Sequence, residues 1–354
     1  LYQDAIGNWV AEETGLDFRL TNLSGDVINF HPSLVVEDLQ ILLPEGFSAT
    51  FDHASVTIDP WATLLAREIR LDTLRLIGIS ADVRVGVSGI ETSASESSNQ
   101  SRVAAALLSA FRKVTVEAAE IWLDNGTGPR QRLTLALELR RSGSERQVKL
   151  DLRGPRQFAL TLSGSGVGDI FQPLRFGGDL HGHLEIPDAS WLAALLGRDF
   201  TARGGIDFWY HGDNQLPEMV LATELADISW RLAEGRQLQL DQLYFTAGLS
   251  STQQSWIARL QSVGVAVGGA DFSLDKLLVS GRDTALEISS TGIDLGHLGR
   301  VLTLSQLLPD QQSGIIADLA PSGSLSAVEA RIADFADPLR SWSLTASARD
   351  ISVQ

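Results

Sequence analysis

Two histidines two residues apart, His181 and His183, are the residues of this 354-residue chain whose spacing most invites a metal ion. On a strand, residues i and i+2 share a face, so both imidazoles would stand on one side with Asp179 and Glu185 in phase, a nitrogen and oxygen set suited to zinc. No further ligand at a recognisable spacing joins them, and Leu180, Leu184 and Ile186 fill the alternate positions, so the simpler reading is the polar face of a half-buried strand. Gly164-Ser165-Gly166-Val167-Gly168 is as glycine-rich as a phosphate-cradling loop, but no helix-opening pattern or basic residue follows, and it reads as a turn. The nucleophile elbow G-x-S-x-G, the P-loop and the H-E-x-x-H pair do not occur. Paired carboxylates for glycoside chemistry are always available among 44 acidic residues, so their presence carries no weight. The eight tryptophans could stack on sugars, yet most lie in phase with apolar neighbours, Ile228 with Trp230 and Trp342 with Leu344, which reads as core packing. The sequence thus assigns no catalytic residue, no metal and no cofactor, and the chain is expected not to be an enzyme.

Composition removes further classes. A net charge of −16, with no basic run longer than Arg112-Lys113 or Arg140-Arg141, is the wrong electrostatics for neutralising nucleic-acid phosphates. Adsorption to an anionic membrane is disfavoured for the same reason, so any lipid contact is expected to be apolar. With no cysteine, disulfides and thiolate chemistry are excluded, which fits an oxidising compartment. No apolar stretch reaches the roughly 18 to 20 residues that span a bilayer. The chain opens at Leu1 within a helical stripe (Tyr2, Ile6, Trp9, Val10) and stops within a strand-like pattern at Ile351-Ser352-Val353-Gln354, so it is expected to be cut from a longer parent.

What must position any function is strands. Leu133, Leu135, Leu137 and Leu139 alternate, then Val148, Leu150 and Leu152, then Phe158, Leu160 and Leu162, with turn residues Ser142-Gly143-Ser144 and Gly154-Pro155 between them. This predicts an antiparallel meander with one apolar face. The alternation returns at Ile69–Leu76, Ile79–Val85, Ile206–Tyr210, Ile228–Leu232, Leu238–Phe245, Val263–Val267, Phe272–Val279 and Trp342–Ala348, on the order of twenty strands of about six to nine residues. Helices are expected only at 1–14, at 60–66 behind Asp59-Pro60, at 102–112, at 188–197 and at 294–308. The polar stretch Glu91 to Ser101 reads as a flexible surface loop and a boundary. A faint echo links Ile121–Gly126 and Arg132–Leu135 to Ile228–Gly235 and Gln237–Leu240, about 107 residues on. So many one-faced strands with so few helices must cover one another's apolar faces or hold something apolar between them.

The opening residues carry a resemblance. Glu13-Thr14-Gly15-Leu16-Asp17-Phe18-Arg19-Leu20, then Leu23-Ser24-Gly25-Asp26, then His31-Pro32-Ser33-Leu34 running to Asp38-Leu39-Gln40-Ile41, is similar to the first module of the AsmA-like family of bacterial envelope proteins, its YhdP-like members in particular. Ile69-Arg70-Leu71-Asp72-Thr73-Leu74-Arg75-Leu76 and the later Leu319-Ala320-Pro321-Ser322-Gly323-Ser324-Leu325 resemble further phrases of that family. The resemblance implies a periplasmic segment, anchored in the inner membrane by an upstream helix, whose strands curl around an apolar groove that shields phospholipid acyl chains between inner and outer membranes. On that reading the fold is mainly β, an elongated, curled antiparallel β-groove with a few short helices. An AsmA-like module covers 1–90, the loop 91–101, and a continuing β-rich groove 102–354. The residues expected to line the groove, from strand phase, are Leu133, Leu135, Leu137, Phe158, Leu160, Leu162, Ile206, Phe208, Val263 and Val265. The competing expectation is a structural or adhesin-like β-solenoid or sandwich whose apolar face is packed shut.

Overall fold

The computed structural model describes residues 17–19, 22–28, 31–42, 48–67, 70–86, 89–90, 111–126, 128–168, 176–196, 198–213, 217–231, 236–252, 255–282, 285–333 and 342–353. The fold is mostly β, with 72% strand. The chain divides into two compact units, Leu1–Gly178 with Ala194–Gly197, and Asp179–Ala193 with Arg198–Gln354. The expected helix at 1–14, the loop 91–101 and all but the last two residues of the expected helix 102–112 lie outside the described residues, and those two, Phe111 and Arg112, are not helical.

Unit one contains β1 (Asp17–Arg19), β2 (Asn22–Ile28), β3 (His31–Leu42), β4 (Ser48–Ile58), the helix α1 (Pro60–Ala66), β5 (Leu71–Gly86), β6 (Gly89–Ile90), β7 (Lys113–Asp124), β8 (Gln131–Ser142), β9 (Glu145–Arg153) and β10 (Ala159–Val167). Both β1 and β2 pair with β3, and the meander continues through β4 to β5. The next step departs from the expected meander, since β5 and β7 are parallel, with Leu74 opposite Val114 and Leu76 opposite Val116. Parallel neighbours need a crossover, and the chain between them passes through 91–110. Antiparallel pairing then resumes from β7 to β10. Gly164 to Val167 belong to β10, paired as far as Val167 with Glu145, so they form no turn. A Cβ at Gly166 would collide with the backbone of Gly178 and the ring of Phe176, so the glycine there serves close backbone approach.

Unit two takes in β11 (Gly177–Ile186) from Asp179 onward, then β12 (Phe200–Gly212), β13 (Glu218–Arg231), β14 (Gln237–Ser251), β15 (Ser255–Val267), β16 (Ala270–Arg282), β17 (Ala285–Asp294), β18 (Ser322–Ile332) and β19 (Trp342–Ser352). From β12 to β19 every step is antiparallel between consecutive strands. A short helix, α2 (Ser190–Leu195), lies in the expected segment 188–197. Two helices interrupt the sheet, α3 (Leu295–Leu304) and α4 (Asp310–Leu319). The expected single helix 294–308 thus stops at Leu304, and α4 was not legible. Asp294 caps α3, its side chain accepting from the His297 N–H at 2.8 Å.

The strands are longer than their alternating runs because the alternation contains single-residue slips. Asp38, Gly78, Ala118, Asp227, Ser262 and Ala327 lie inside strands with φ between 49° and 65°. At each, the apolar phase advances by three instead of two, as from Val116 to Ala119, both buried, across exposed Ala118. One extra residue in the left-handed region keeps the apolar side chains on the same face. Leu76, Ile79, Ala81 and Phe51 therefore pack together although 76 and 79 differ in parity.

Candidate functional site

Cross-strand register lines the apolar residues up in rows. In unit one, Leu76, Val116, Leu137, Leu150 and Leu162 face one another across five strands, and beyond the slip at Ala118 so do Ala119, Leu135, Leu152 and Leu160. In unit two, Phe208, Leu221, Ala247, Leu260 and Leu277 form one row, and Tyr210, Met219, Leu249, Ala258, Val279 and Ile288 another. Each opposing pair brings Cβ atoms to about 5 Å, so the rows are continuous apolar bands. Phe208 also fills the space over Gly182 on β11, where a Cβ would overlap its ring, and Trp256 does the same over Gly281.

These bands are only partly withdrawn from water. Among the described strand leucines, only Leu133 and Leu274 are buried, at 8% and 9% exposure, while Leu135, Leu137, Leu150, Leu152, Leu160 and Leu162 are half-buried. A sheet face packed under a second layer buries its leucines nearly completely, so this face of unit one is open over those six leucines, while Val114, Val116, Ala119 and Val148 on the same face are buried. Trp230, expected in a core, is 52% exposed.

The opposite face of unit one carries charge. Arg75 forks onto Glu117 at 2.9 and 3.1 Å, Arg132 reaches Glu120 at 3.0 Å and Arg153 reaches Asp151 at 2.9 Å. The Arg75 guanidinium, first through its hydrogen bonds, holds the Glu117 carboxyl below its ordinary range. Such exposed pairs contribute little stability each, but they fix which side faces water.

All ten residues expected to line a groove lie with these apolar rows or at their ends. Leu133, Leu135, Leu137, Leu160 and Leu162 share the unit-one face. Phe158 sits just before β10, where the Gly154 N–H donates to its carbonyl at 2.8 Å. Ile206, Phe208, Val263 and Val265 share the unit-two face. Val263 and Val265, however, pack into a closed cluster of Val267, Ala270, Phe272, Leu274 and Val301, with Leu298 of α3 against it. Phase alone does not reveal which part of a face a distant helix will cover. Leu74, Leu76, Val114 and Val116 belong to the same unit-one face and were missed. The spacing of three from Leu76 to Ile79 and from Val116 to Ala119 was the signal.

The histidine pair is engaged in cross-strand contacts on β11 and β12. His183 Nδ1 lies 2.7 Å from Asp207 Oδ1, His211 Nδ1 lies 2.7 Å from Asp179 Oδ1, and His181 stacks on Trp209 at 5.3 Å. Hydrogen bonding to Asp179, then its charge, raises His211 above the ordinary imidazole value.

Among the described residues no helix is long and apolar enough to cross a membrane. No curated protein and no solved structure matches this chain. A family model described as YhdP protein matches residues 1–354, so the chain belongs to the YhdP family, a family of bacterial envelope proteins.

Proposed function

We propose that the apolar face of unit one shields phospholipid acyl chains, and that the chain is a periplasmic segment of an inner-membrane-anchored protein taking part in phospholipid passage between inner and outer membranes. The observation that carries this reading is the continuous apolar band from β5 to β10, whose leucines Leu135, Leu137, Leu150, Leu152, Leu160 and Leu162 are half-buried while Val114, Val116 and Val148 are buried, with the Arg75–Glu117, Arg132–Glu120 and Arg153–Asp151 pairs on the other face. Each CH₂ withdrawn from water onto such a band gains about 0.8 kcal/mol with no need of a charged partner. Membership of an envelope family supports the setting. The chemistry asked of the protein is shielding, so no catalytic group is required.

The test is a photo-crosslinking residue placed at Leu137 on the band and, separately, at Arg140 near the charged end of β8, in the full-length parent. Leu137 is expected to crosslink phospholipid tails, and native mass spectrometry of the purified chain to show bound phospholipid. Crosslinking of lipid at neither position, or equally at both, would overturn the proposal. The region under α3 favours a second role, since its closed cluster is structural.

A further inference from the structure

We infer that α1 is a membrane-interface foot, a short helix whose apolar side seats in the headgroup region of a bilayer. Its inward side is tied down. The Asp59 side chain accepts from the Ala62 N–H at 2.9 Å, the Asp59 N–H donates to the Arg70 carbonyl at 2.9 Å, and the Arg70 N–H donates to Thr63 Oγ1 at 3.0 Å. Ala62 and Thr63 are accordingly half-buried. That fixes the rotation of the helix, and with it the outward stripe at i, i+3 and i+4. There Trp61 is 74%, Leu64 69% and Leu65 85% exposed.

Three large apolar side chains held in water by a rigid cap are not what a closed surface does with its leucines. Three side chains make a patch well short of the roughly 800 Å² per partner that a stable protein interface buries. A bilayer sets no such threshold, because side chains insert individually. Tryptophan flanked by leucines is the composition of an interfacial helix. Exposed Arg67, at the helix C-cap, stands at its end, where lipid phosphates would lie. This inference does not rest on acyl-chain shielding, because a foot can seat a protein that carries no lipid.

The absence of native cysteine allows a clean test on the whole chain. An environment-sensitive dye at Leu65→Cys is expected to shift to the blue on adding zwitterionic phosphatidylethanolamine/phosphatidylcholine vesicles, while the same dye at Ser144→Cys, on the β8–β9 turn, stays unchanged. The triple variant Trp61→Ala, Leu64→Ser, Leu65→Ser is expected to keep its circular dichroism and to lose vesicle co-flotation about tenfold or more. Crosslinking of lipid at Leu137 should survive that variant, which separates this inference from the shielding proposal. No vesicle binding by the parent chain, or binding undiminished in the triple variant, would overturn the foot. A self-association abolished by the same substitutions would instead assign the stripe to a second copy and overturn it too.

Discussion

The apolar rows of β7 to β10 and those of β15 and β16 are written in the same period-two pattern of Leu, Val and Phe, yet they end in different environments. Over β15 and β16, Leu298 and Val301 of α3 close the face, and Phe272 falls to 8% exposure. Over the middle of β8 to β10 no helix among the described residues does so, and Leu135 and Leu160 stay half-buried, while Leu133 and Val148 toward the strand ends are buried. A strand pattern therefore states which side is apolar, and the presence of a covering helix decides whether that side is core or open surface. One acidic substitution in each place asks which it is.

The largest effect is expected at Phe272→Asp, which buries a carboxylate without a partner in the closed cluster and should cost about 3–5 kcal/mol or unfold unit two, as read by denaturant melts. Leu135→Asp and Leu160→Asp are expected to cost less than about 2 kcal/mol, because water reaches the new charge, while abolishing lipid crosslinking and envelope function in the full-length parent. A unit one that melts as readily as unit two would erase the distinction. Next in size is Asp294→Ala, which removes the cap of α3 and should cost about 1 kcal/mol. Hydrogen exchange should quicken in α3 while β8 is unaffected, and lipid should begin to crosslink at Val265 as the cover loosens.

The smallest effect lies on the polar face and serves as the control. Because the folded-state pKa of His211 is raised, its pairing with Asp179 contributes below the unfolded imidazole value and is lost as pH rises through the folded one. An NMR titration should find His211 titrating above the ordinary imidazole range and Asp179→Asn returning it there, with lipid crosslinking at Leu137 the same on either side of the transition.

Much of the fold was legible because Leu133 to Leu162 alternate without interruption through three hairpin-linked strands. Legibility failed where a local rule was overridden. Gly164 to Val167 look like a turn until the close approach of Gly178 is known, which only pairing reveals. The parallel step from β5 to β7 leaves no trace in either strand, since a strand's own sequence does not state the direction of its neighbour. α4 begins Asp310-Gln311-Gln312-Ser313 and contains Gly314, so it carries neither a strong apolar stripe nor a side-chain cap. Trp230 sits in phase with Ile228 and was taken for core, although nothing in a strand's own sequence says what lies above it.

The left-handed residues inside the strands give this architecture something like a reading frame. Between two of them, inserting or deleting one residue turns every following side chain to the wrong face, setting arginines and glutamates among leucines until the strand ends. At Ala118 or Ser262 the frame is already shifted by one, and the chain has settled the local geometry that a shift demands. Single-residue length changes should therefore be absorbed beside those positions and nowhere else along the same strands, so that variation in length among relatives would map the punctuation of the sheet more directly than variation in residue type.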